Sequence, residues 1–146
     1  MNAPATPMQW TDDLQLGYAP MDQTHSAFVE HVAAVQTSTD QGLPGQMQAL
    51  LAHLEAHFEE ENTWMRETQF PAMDCHINEH EAVLKSVREV CAQVQHGQTD
   101  HCQPLTAELQ KWFPGHADYL DSALAHWMCK LRLGGKPIVF KRNAGK

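Results

Sequence analysis

Seven side chains in this sequence carry imidazoles or carboxylates at spacings suited to holding metal. His57 and Glu61 are four residues apart, as are His76 and His80; His116 and Asp121 are five apart, and His25 stands upstream. Residues four apart on an α-helix are separated by ~40° around its axis, so each of the first two pairs can reach a single point. Five apart is roughly 140° on a regular helix, so His116 and Asp121 close on one ion only with strain, unless the carboxylate bridges to a second. Five imidazoles and two carboxylates are too many for one tetrahedral zinc and suit a pair of six-coordinate ions that share bridges. Nitrogen and oxygen donors without thiolate favour iron. Two ferrous ions, the two carboxylates and a bridging hydroxide leave a single positive charge, which a buried site can tolerate.

Positioning these groups takes four elements. Ala27, Phe28, Val32 and Val35 recur at helical spacing, with Asp22 placed as the N-cap. Met47, Leu50, Leu51, Leu54, Phe58 and Met65 form a second stripe, and Pro44 stands where a helix start tolerates proline. Ile77, Val83, Leu84, Val87 and Val94 make a third before Gly97; Leu105, Leu109, Trp112, Leu120, Leu124 and Leu131 make a fourth before Gly134. The expected fold is all-α, an up-down-up-down four-helix bundle with an ordered N-terminal arm and a short basic C-terminal tail. As a single domain over 1–146, it divides into an arm at 1–21, helices at about 22–39, 44–66, 74–96 and 102–133, and a tail at 134–146. Only Ile138-Val139-Phe140 alternates as a strand could.

Composition narrows the function. At 146 residues the chain can bury a core without help from metal or disulfides. A formal charge of −8 speaks against nucleic acid as partner. Cys75, Cys91, Cys102 and Cys129 form no C-x-x-C pair and the N-terminus has no secretory pattern, so reduced thiols in a cytoplasmic protein are expected. No apolar run approaches the ~20 residues of a membrane span. Six of the ten basic residues follow Asp121, at Lys130, Arg132, Lys136, Lys141, Arg142 and Lys146. They read as a favourable helix end and solvated tail, with docking to an acidic protein partner as the alternative.

A histidine on the first helix followed by H-x-x-x-E, H-x-x-x-H and H-x-x-x-x-D resembles the hemerythrin family over most of the chain, from Trp10 to Asp121. Met21-Asp22-Gln23-Thr24-His25 with Phe28, His57-Phe58 with Glu61 and Met65, and Trp112 before His116 resemble the same family's surrounding residues. The resemblance implies two non-heme irons joined by an oxo or hydroxo bridge. His76, His80 and His116 would bind one and His25 and His57 the other, with Glu61 and Asp121 bridging. It implies a non-catalytic protein that binds dioxygen reversibly, for storage, delivery or sensing, in a dry apolar pocket.

Two other readings compete. His76-Ile77-Asn78-Glu79-His80 fits H-x-x-E-H, the inverted zinc-peptidase motif, but leaves His25, His57, Glu61 and Asp121 unexplained. A ferritin-like di-iron oxidase or iron-handling protein wants Glu-x-x-His on two helices, and none occurs here. His31, His53, His96, His101 and His126 are assigned to the surface or to outer roles, with His53, one turn before His57, the candidate for contact with the site. Pro114 before Gly115 is expected to kink the fourth helix or restart it.

Overall fold

The computed structural model describes residues 6–135. They form a four-helix bundle: α1 (Ala19–Gln36), α2 (Leu43–Thr68), α3 (Met73–Gln95), and a fourth helix made of α4 (Cys102–His116), a π-helical turn (Ala117–Asp121) and α5 (Ser122–Arg132). Among the described residues there is no strand; Ile138-Val139-Phe140 and the four tail cations from Lys136 onward lie outside them. In sequence and in space α1 neighbours α2 and α2 neighbours α3, while α4 packs on both α3 and α1 and closes the ring. No helix of the described residues is long and apolar enough to cross a membrane. All four cysteines are free thiols, with Cys75 exposed and the others buried.

The arm is ordered against this body, with one 3-10 turn at Asp12–Leu14. Met8 is buried and its N–H donates to Gln36 Oε1 at 2.7 Å, while Trp10 and Leu14 pack on the core. Here the expected boundary is corrected. α1 starts at Ala19, with Pro20 in its first turn, so Asp22 is not the N-cap. Its carboxylate instead accepts the N–H groups of Leu16 and Gly17 at 2.7 and 3.0 Å, reaching back to hold the arm onto the helix start. Proline can open a helix because the first N–H groups have no partner within it. That preference outweighs the capping potential of Asp22.

The fourth helix departs from expectation more usefully. The chain stays helical through Pro114 and Gly115, and the irregularity falls just beyond them, where Ser122 N–H donates to the carbonyl of Ala117, five residues back. A π turn takes in one residue more than an α turn. It therefore brings residues five apart into line, which a regular helix does not.

The apolar core has two parts. One gathers Phe28, Val32, Leu54, Phe58, Leu84, Val87, Leu109 and Phe113 among others; the second gathers Met21, Trp64, Met65, Phe70, Leu124 and Met128. Along α1, α2 and the fourth helix a polar position separates the two: His25 between Met21 and Phe28, Glu61 between Phe58 and Met65, Asp121 between Ala117 and Leu124. The bundle carries a buried polar layer between two hydrophobic ones.

Candidate metal centre

That layer consists of the seven residues singled out by spacing. His25, Glu61, His76, His80 and Asp121 are fully buried, and His57 and His116 are only 3% and 4% exposed. α1 supplies His25, α2 supplies His57 and Glu61, α3 supplies His76 and His80, and the fourth helix supplies His116 and, through the π turn, Asp121.

Each carboxylate faces two ways. Glu61 Oε2 lies 2.9 Å from His57 Nε2 and 3.4 Å from His25 Nε2, while its Oε1 lies 3.3 Å from His80 Nε2 and 3.5 Å from His76 Nε2. Asp121 Oδ2 lies 3.0 Å from His25 Nε2, while its Oδ1 lies 2.9 Å from His76 Nε2 and 3.2 Å from His116 Nε2. The donors thus sort into a group of two imidazoles and a group of three, with one oxygen of each carboxylate turned to each group. Two sets of atoms are close enough to share an ion: Glu61, His76, His80, His116 and Asp121 form one, and His25, His57 and Glu61 form the other.

Short as these contacts are, most are not hydrogen bonds. Glu61 bonds His57, but the Nε2 atoms of His25, His76, His80 and His116, Glu61 Oε1 and both oxygens of Asp121 have no hydrogen-bond partner. A buried polar atom left unbonded costs ~1–3 kcal/mol, so seven in one layer call for protons or metal cations between them. Lone pairs that crowd together without bonding one another are what buried cations would satisfy, and the donor set fits two of them.

Two partners outside the seven orient rings from behind. His80 Nδ1 donates to Asn62 Oδ1 at 2.8 Å, and His116 Nδ1 donates to Glu79 Oε1 at 2.7 Å. Trp112 Nε1 donates to the same Glu79 oxygen at 2.9 Å, and its ring stacks on His116 at 4.4 Å. Committing Nδ1 in this way presents Nε2 to a metal and raises its basicity. Neither partner is identified by spacing. The one available signal for Glu79 is the H-x-x-E-H run, and it points to a general base. The structure places its carboxylate behind His116, 38% exposed and outside the buried cluster.

Burial and charge pull on the layer in opposite directions. Burial lowers His25, but Asp121 and Glu61 beside it lift it from 6.5 to about 10; burial likewise lowers His76, which the same carboxylates raise to about 9. His80 falls, through burial and the neighbouring His76 and His116, despite Glu61. Burial works against ionisation of Glu61 and Asp121, yet the surrounding imidazoles hold both well below the usual carboxylate range. Two anions in an apolar interior need compensating cations, and in the metal-free chain protons on His25 and His76 serve. Of the remaining histidines, His53 approaches closest: its ring is 5.4 Å from His57 and 4.9 Å from His31. Burial, with His57 and His31 alongside, lowers it to about 4.

Residues 16–127 match the family model of the hemerythrin HHE cation binding domain. The chain is 37% identical to a bacteriohemerythrin of Ralstonia nicotianae over 84% of its own length and 90% of that protein's. It is 30% identical to a bacteriohemerythrin of Stenotrophomonas maltophilia over 80% of its length and 78% of that protein's. To a hemerythrin of Sipunculus nudus it is 33% identical over 60% of its length and 71% of that protein's. No solved structure matches.

Proposed function

The chain belongs to the hemerythrin family, and from that premise we propose that it binds dioxygen reversibly at a pair of non-heme irons held in the buried polar layer. The observation that carries this reading is the two-way disposition of Glu61 and Asp121, each with one oxygen toward His25 and the other toward the His76 side. His76, His80 and His116 would hold one iron, His25 and His57 the other, and the two carboxylates would bridge. The iron pair, when bound, supplies the two electrons that dioxygen takes up on binding and gives back on leaving.

The chain's own residues set the conditions for reversibility. With three imidazoles on one side and two on the other, the His25/His57 side has one protein donor fewer, and the diatomic ligand is assigned there. Phe113 stands edge-on to His25 at 5.1 Å, and Phe28 packs on Phe113 at 4.8 Å. Phe58 lies 5.1 Å from His57 and stacks on His80 at 4.0 Å. These rings keep water and its protons from the layer, so that bound oxygen has no general acid at hand. Asn62 and Glu79 hold His80 and His116 in one tautomer.

The supporting experiment is direct. Purified protein, reduced without oxygen and then exposed to air, should develop a visible absorption that disappears when oxygen is removed, with two irons counted per chain. A spectrum indifferent to oxygen, or a single bound zinc with peptide hydrolysis, would reject the proposal.

A further inference from the structure

We propose that His31 and His53 form a portal through which divalent first-row cations reach the buried centre. The inference rests on the metal centre proposed above. Because none of the seven donors is more than 4% exposed, a cation must pass through protein to reach them.

A line of imidazoles marks one route. Ring centroids are 4.9 Å apart from His31 to His53, 5.4 Å from His53 to His57 and 5.2 Å from His57 to His25. His31 and His53 are half-buried, whereas His57 and His25 are buried, so the line runs from solvent into the centre. The spacing can be judged against the rings of the centre itself: His76, His80 and His116 stand 4.5–5.3 Å from one another. His31 and His53 fall inside that range, and His53 and His57, at 5.4 Å, lie just beyond it. Since a metal-bound imidazole nitrogen lies ~2.0–2.1 Å from its ion, neighbouring rings at these separations can share a cation. Each can therefore accept the ion before the previous one has released it.

The second observation is which nitrogens are uncommitted. His53 Nε2 is buried with no hydrogen-bond partner, and so are His57 Nδ1 and His25 Nδ1. On the opposite half, Asn62 and Glu79 bond the outer nitrogens of His80 and His116, leaving only His76 Nδ1 unbonded. His57 is bonded to Glu61 through Nε2 and His53 to the backbone of Thr24, which leaves His57 Nδ1 and His53 Nε2 open along the line to receive an ion. An unbonded buried nitrogen at His53 is costly, and an apolar side chain would fill the same place without that cost. Transient ligation accounts for an imidazole there.

Metal-free protein mixed with cobaltous ion in the absence of oxygen provides the test, with uptake followed by visible absorption and metal per chain counted at the end. His31→Gln, His53→Gln and the double variant are compared with the unaltered chain and with His96→Gln, a change at an exposed histidine off the line. The double variant should load about tenfold more slowly, equivalent to ~1.4 kcal/mol on the barrier to entry. It should reach the same final metal content and release metal to a chelator more slowly by the same factor, because a route alters both directions alike. His31→Gln, at a half-buried position on α1, keeps the question answerable if His53→Gln fails to fold. Full loading at an unchanged rate, or faster release in place of slower, would overturn the portal. Failure of the unaltered chain to take up two ions would overturn the centre and the portal with it.

Discussion

The proton balance of the buried polar layer yields a measurable consequence. In the metal-free chain the folded state keeps protons on His25 up to about pH 10 and on His76 up to about pH 9, whereas an unfolded chain releases them near 6.5. Raised imidazole pKa values contribute stability that is complete below ~6.5 and is lost as pH rises through the folded values. Holding a proton only in the folded state is worth ~1.4 kcal/mol for each pH unit. The two rings share Asp121 and Glu61, so their gains overlap, and the expected loss from pH 6.5 to 10 is on the order of 5 kcal/mol. For a chain of this size that corresponds to a fall in melting temperature of about 10 °C or more. Loaded protein should behave differently: cations replace these protons, the alkaline decline should largely vanish, and loading near pH 7.5 should release protons from His25 and His76. Calorimetric melts of both forms at pH 6.5, 8 and 9.5, with a pH indicator during loading, measure each part. A flat metal-free profile, or loading without proton release, would refute the reasoning.

Glu61→Ala should cost at least one metal ion per chain, as should His76→Ala or His80→Ala, whereas His96→Ala and His101→Ala should cost none; metal analysis of purified variants checks this. Glu79→Gln and Asn62→Leu should leave the helical content intact while weakening metal retention against a chelator by ~10–100-fold, the usual cost of losing the group that orients a ligating histidine. Deleting Tyr119, which is 81% exposed within the π turn, turns His116 and Asp121 into a pair four apart on a regular helix. Both ions should still bind and α5 should keep its buried face, as metal counts and thermal melts would show; loss of metal from a folded deletion variant would mean that the π turn does more than set register.

The four helices and the candidate pairs His57 with Glu61 and His76 with His80 were legible in the sequence because helical periodicity is a local property. Hydrophobic stripes at three- and four-residue intervals fall in one order on any α-helix, and pairs such as His57 with Glu61 or His76 with His80 share a face wherever the helix packs. The start of α1 was less legible, since Pro20 and Asp22 are both suited to a helix beginning and only the packing of the arm through Leu16 and Gly17 decides between their roles. The π turn was hidden for a similar reason. Pro114 is a local signal and drew attention to itself, while the extra residue at 117–121 is fixed by the need to bury Asp121 beside His25 and His76 and still return Leu124 and Met128 to the core. Asn62 and Glu79 meet their rings across 18 and 37 residues of chain, and the His31–His53 contact joins α1 to α2. Contacts between helices leave no periodic trace, because they depend on how helices rotate and slide against one another when the bundle closes. The sequence by itself therefore determined which groups could hold metal and on which elements; the tertiary structure decided how the carboxylates divide between two groups of imidazoles and which rings are held from behind.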